Sequence, residues 1–147
     1  MKFKLLYLIT EDWFFCSHFI ERAVAAKNSG FDVVVATHIK AHEEIIRAAG
    51  LRLISINFER RSLNLVHEIK TILSILNVFR VERPDLIHQI ALKPILYGSL
   101  AAKLTGVKAI INAPVGMGYI FSSEDTRARF LRPFIHFGLR LLLNPRG

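Results

Sequence analysis

The sequence predicts an α/β domain, a Rossmann-like three-layer parallel sheet with helices on both faces. Two observations predict it. Strand-like and helix-like segments alternate five times with short connections, and the strand-like segments are continuous apolar runs, not alternating ones. Strands buried on both faces and joined by right-handed crossover helices carry that signature. No repeat, low-complexity tract or Pro/Gly/Ser-rich linker interrupts the pattern, so residues 1–147 read as a single domain.

Residues 3–9 form the first strand, an apolar run rich in large side chains. Ser17 is suited to cap a helix over 18–28, which Gly30 ends where a left-handed residue is wanted. Residues 31–37 (FDVVVAT) make the clearest strand, β-branched through the middle. A helix over 41–49 stops at Gly50, and a strand over 51–57 follows. Asn64 caps the longest helix, 65–81, whose apolar residues recur at three and four. Pro84 ends it, and 86–91 is the fourth strand. Pro94 suits the first turn of the next helix, Gly106 closes it, and 107–112 is the fifth strand. A last helix over 126–143 is expected to kink near Pro133. Asn144-Pro145-Arg146-Gly147 then reads as a helix exit and turn, where a dinucleotide fold would want a sixth strand. The domain is therefore expected to be truncated.

With 52% hydrophobic and 22% charged residues, the chain has the composition of a packed domain and not of a disordered one. Cys16 is the single cysteine and has no internal disulfide partner, which favours a reducing compartment. The apolar run ending at Ile9 is cut by Glu11 and Asp12 before a signal-peptide core forms. No segment reaches the roughly 18 uninterrupted apolar residues of a membrane span. The expected location is cytoplasmic, with a peripheral place on the inner face of the cell membrane left open. A net charge of +8 and a pI near 10.1 suit a polyanionic neighbour, nucleic acid or an anionic leaflet, but do not choose between them.

In an open parallel sheet, ligands bind beyond the carboxyl ends of the strands where strand order reverses, here between the loops after the first and fourth strands. The first of these, residues 10–18, contains no glycine, which argues against the backbone approach that NAD or FAD requires. There is no GxxxxGK[ST] loop either. Two carboxylates (Glu11, Asp12), an indole (Trp13) and an imidazole (His18) instead suit a neutral polyhydroxyl ligand. Asp12 and His18 are the candidate catalytic residues, able to orient or deprotonate an acceptor hydroxyl. An equally weighted reading makes Asp12 and Ser17 turn and cap residues and Trp13 core.

The fourth-strand region supplies His88, Gln89 and Lys93. A histidine within a strand is more commonly a satisfied buried one. Lys93 stands at a helix start, where a cation is unfavourable, so either an anion such as a phosphate holds it or it is simply solvated. Gly116 and Gly118 permit a tight turn or close backbone contact with a ligand. His38 and His42 lack the partners of a zinc set, so no metal is expected, and Cys16 reads as a buried thiol.

In the last helix Arg129, Arg132, His136 and Arg140 fall within roughly 80° of one another, bordered by Phe130, Phe134, Phe137 and Leu141. Such a stripe fits a membrane surface, and a packed helix with solvated arginines fits it slightly better. Arg60, Arg61, Lys103 and Lys108 extend the positive surface. No helix-turn-helix, zinc-finger or aromatic stacking platform points to nucleic acid, which is not an expected partner.

Taken together, TEDWFFCSHF after the first strand, GFDVVVATH, RRSLNL before the long helix, RPDLIHQIALKPILYGSLAAKLTGV and INAPVGMGYIF carry a resemblance along nearly the whole chain. The chain resembles the N-terminal domain of family 4 glycosyltransferases, GT-B-fold retaining enzymes of bacterial polysaccharide and glycan assembly. The resemblance implies an acceptor-side domain, often presented with a sugar on a polyprenyl-diphosphate lipid and commonly in contact with the membrane. It implies a second domain, absent here, for the nucleotide-sugar donor, and a retaining, metal-independent transfer in which the leaving phosphate takes the acceptor proton. No cofactor is expected beyond that nucleotide-sugar co-substrate. Asp12, His18, Lys93, Gly116 and Gly118 match cleft-lining positions. The glycine-rich turn of many relatives is replaced by Glu11-Asp12-Trp13, so that donor contact does not carry over. The isolated chain is expected to be inactive without the donor-binding domain. The alternative is a stand-alone, membrane-docked acceptor subunit that recruits a separate donor-binding chain.

Overall fold

A computed structural model describes residues 1–62, 64–116 and 124–143. Five strands, β1 (Lys4–Glu11), β2 (Asp32–His38), β3 (Arg52–Ser55), β4 (Leu86–Ile90) and β5 (Ala109–Ala113), form one sheet in the order β3-β2-β1-β4-β5. Every neighbouring pair is parallel. Helices α1 (Asp12–His18), α2 (Ile20–Asn28), α3 (Glu43–Ala48), α4 (Leu65–Glu82), α5 (Leu92–Thr105) and α6 (Thr126–Leu143) complete it. The fold is the expected Rossmann-like α/β sheet, and its order reverses between β1 and β4.

Strand pleating explains the two cores. Leu5, Tyr7 and Ile9 of β1 join Val33, Val35, Phe15, Phe19 and Ile46 on the α1–α3 face. Leu6 and Leu8 join Val34, Ile87, Ile75, Phe79, Ala101 and Ala102 beneath α4 and α5 on the other. Because β1 is buried on both sides, its sequence is a continuous apolar run. At the amino edge the salt bridges close on themselves: Lys4 meets Glu82 (3.0 Å) and Asp32 (3.8 Å), and Arg52 meets the same two carboxylates.

Asn64 caps α4 as expected, its Oδ1 accepting the Val66 and His67 N–H groups, and Gly106 closes α5 at φ +78°. The segment between β1 and β2 differs from expectation. Residues 12–18 are helical, not a loop, and β1 runs on to Glu11, which pairs with His38 beyond a register irregularity. Ser17 does not cap the following helix: its Oγ donates back to the Trp13 carbonyl within α1. Phe19, at φ −125°, separates α1 from α2 instead.

Helix α6 runs through Pro133 and lies on α5 through Gly138, which faces Leu96, and a bond from Lys103 Nζ to the Leu141 carbonyl (3.0 Å). Among the described residues no helix is long and apolar enough to cross a membrane.

Candidate functional site

The carboxyl edge at the β1/β4 reversal begins with Asp12, which follows β1 directly. Its side chain is buried, with Oδ2 accepting the N–H groups of Lys40 (2.7 Å), Ala41 (3.0 Å) and His42 (3.0 Å). Oδ1 accepts the N–H of Trp13 (2.7 Å) and lies 3.6 Å from His42 Nδ1. Burial raises the carboxyl pKa, but the four backbone donors outweigh it and hold the group below its ordinary value. Beside it, the Glu11 carboxylate meets Lys40 Nζ at 2.9 Å. Both acids therefore bind the β2–α3 connection, and the anion at the start of α1 is one the chain supplies.

Trp13 and His18 face the other way. Trp13 is 41% exposed, so it is not a core residue, and it meets Phe14 edge-on. The exposed His18 imidazole stacks on Phe14 at 4.3 Å, with Nδ1 3.3 Å from the Phe14 carbonyl. This places an indole face and an imidazole on one short helix. The half-buried Cys16 thiol is raised by burial and further by the Asp12 charge, which keeps it protonated.

His88 sits back from the carboxyl edge, level with Tyr7 in the sheet register. Its ring lies 5.2 Å from Tyr7 and 5.6 Å, edge-on, from Phe19. Burial, then the Arg22 charge, lowers its pKa and keeps the imidazole neutral. Gln89 points to the opposite face, buried, with Nε2 3.3 Å from Ser99 Oγ. A Cβ on Gly98 would lie 2.2 Å from Gln89 Oε1, so only glycine lets α5 approach this amide.

Lys93 has an anionic partner, and that partner is internal. Its Nζ meets Glu68 Oε1 at 2.8 Å and donates to the carbonyls of Glu59 and Ser62. Tyr97 donates its hydroxyl to the other Glu68 oxygen; burial and then this carboxylate raise the phenol pKa. Gly116 adopts φ +71°, and Gly118 lies outside the described residues. The predicted residues thus fall into separate groups: Glu11 and Asp12 under the β2–α3 connection, Trp13 and His18 on α1, His88 within one face, and Lys93 at the other. Lys40, His42, Glu68 and Tyr97 were not singled out as their partners. A Glu in the first turn of a helix looks like ordinary dipole compensation, so sequence carried no signal for the pairing between α4 and α5. Among the described residues no three His, Cys, Asp or Glu side chains are grouped to hold a metal.

On α6, Phe130, Phe134, Phe137 and Leu141 are 59–70% exposed, on the side away from α5, and the helix contains arginines but no acid.

Comparison with known proteins agrees with this architecture. The family described as glycosyl transferase 4-like matches residues 4–142. Among solved structures, the chain is similar to MurG of Acinetobacter baumannii (15% identity, TM-score 0.55), over 75% of this chain and 34% of that one. It is also similar to a glycosyltransferase of Rickettsia africae (17%, TM-score 0.58), over 84% and 34% of the two chains. A third likeness is to the UDP-GlcNAc 2-epimerase of Neisseria meningitidis (13%, TM-score 0.53), over 98% and 44%. The chain therefore spans between a third and a half of the length of these structures, and at such identities the likeness concerns the fold. The search of curated proteins finds no match. With the family match running almost from end to end of the parallel sheet and its helices, the chain belongs to the glycosyl transferase 4-like family.

Proposed function

We propose that this domain binds the acceptor in a retaining, metal-independent glycosyltransferase of cell-surface polysaccharide synthesis. The sugar comes from a nucleotide-sugar held by a donor-binding domain, and it passes to a hydroxyl of a glycan or polyprenyl-linked acceptor. The observation that carries the acceptor-side reading is the Asp12 carboxylate seated at the start of α1. A donor diphosphate approaching that point would meet a buried negative charge, with Glu11 beside it. A neutral sugar instead finds the exposed indole of Trp13 to stack on and His18 to hydrogen-bond. In this reading Asp12 positions the mouth of the crevice, while Trp13 and His18 contact the acceptor.

Trp13 is the chain's single tryptophan, which makes its fluorescence a direct reporter. Titration with undecaprenyl-diphosphate sugar in detergent micelles is expected to shift the emission; in isothermal titration calorimetry, which needs no tryptophan, Trp13→Ala is expected to weaken binding by about tenfold, the loss of one stacking contact. A nucleotide-sugar that shifted the emission as strongly as the acceptor would overturn the acceptor-side reading.

A membrane-docked state is favoured by the outward stripe of α6. Four large apolar side chains beside arginines, with no acid on the helix, match a helix lying in the plane of an anionic leaflet. The same surface would serve a stand-alone acceptor subunit that recruits a separate donor-binding chain.

A further inference from the structure

The turn between β3 and α4 carries two arginines to which the fold gives no counter-charge. Arg60 and Arg61 are exposed at its tip, and among the described residues neither has a carboxylate at ion-pair distance. Adjacent like charges repel, and an unanchored loop would let them separate. Here residues 57–62 are held at several points. Ser62 N–H donates to the Glu59 carbonyl, closing it. Lys93 Nζ donates to the carbonyls of Glu59 and Ser62 at its two ends. Buried Phe58 and a bond from Thr71 Oγ1 to the Asn57 carbonyl (3.1 Å) fix the approach to it. Glu68 takes up the charge of Lys93, and Tyr97 holds Glu68. The clamp neutralises the lysine and holds the backbone that bears both arginines near the start of α5 and the carboxyl edge of the sheet. A local electrostatic cost kept in place by five contacts, with no structural return, marks a binding element.

We propose that the turn bearing Arg60 and Arg61 seats a phosphate or diphosphate group of the acceptor, with Lys93 as the positioning residue that shapes it. Two forked guanidiniums match phosphate oxygens in a bidentate manner, which a lysine pair would not. The proposal rests on the acceptor-side reading, but its test does not depend on sugar binding or transfer.

Inorganic pyrophosphate titrated calorimetrically into the purified chain at low ionic strength is the probe. Arg60→Gln/Arg61→Gln is expected to weaken binding by about tenfold or more, the loss of two charge-assisted contacts. Lys93→Met keeps both arginines yet should weaken it by about threefold or more, and Lys93→Arg should restore it. Arg80→Gln/Arg83→Gln, on the far side of α4, should bind as the parent does. Unchanged affinity in the Arg60/Arg61 variant, or an equal loss in the Arg80/Arg83 variant, overturns the site. Farnesyl diphosphate binding more tightly than UDP supports an acceptor phosphate; UDP binding more tightly overturns that assignment. Failure of the Trp13 titration with intact pyrophosphate binding would separate the failure of the acceptor-side reading from failure of this one.

Discussion

Asp12 illustrates how one side chain can set the limits of a fold. Its folded-state pKa is depressed, so its contribution to stability is complete above its ordinary value near 3.8 and fades as pH falls through the depressed one. Thermal stability is therefore expected to drop on acidification below about pH 4. Asp12→Asn should be less stable at neutral pH by about 2 kcal/mol and should show a shallower acid limb, since an amide offers one acceptor oxygen where four donors converge. Scanning calorimetry of both proteins from pH 7 to pH 3 reads the difference; parallel curves would remove Asp12 from this role. Sequence made the carboxylate visible as a candidate but not its partners, because Lys40, Ala41 and His42 contribute backbone N–H groups and any residue types could have supplied those. The same holds for Lys93. Its place at a helix start left an anionic partner and simple solvation both open, and the partner, Glu68, is 25 positions away and identifies itself only in three dimensions.

At the scale of elements, the strands were legible because burial on both faces leaves unbroken apolar runs, and α4 and α5 because Asn64 and Gly106 punctuate them. Helix α1 was not, since seven residues with no capping bond give neither periodicity nor a start signal. Helix α6 has its full predicted span, but the sequence left both of its sides as possible contact faces. Packing of Gly138 on Leu96 identifies the side against α5, leaving Phe130, Phe134 and Phe137 exposed. Replacing these three by serine should change stability by less than about 0.5 kcal/mol each, as for exposed positions generally. Co-sedimentation with anionic vesicles should fall at least tenfold in the same variant. A large drop in melting temperature would instead assign the stripe to an internal contact.

For the molecule as a whole, the distribution of charge matters more than its total. Lys4, Arg52, Asp32 and Glu82 cancel at the amino edge, and Glu11 and Asp12 lie at the carboxyl edge. The excess of +8 consequently rests on other residues, four arginines of α6 and the Arg60–Arg61 pair among them. Association with anionic vesicles should be fast at low salt and slow steeply as the Debye length contracts from about 30 Å to 8 Å, while dissociation changes less. Stopped-flow mixing measures both rates; salt-independent association would refute electrostatic capture. The closed amino-edge network has a further consequence. A balanced set of charges exerts no net pull, so that network adds nothing to the attraction of the +8 molecule towards an anionic surface, whereas the arginines of α6 do. Approach to an anionic surface would then be biased towards the α6 side before any atom touches.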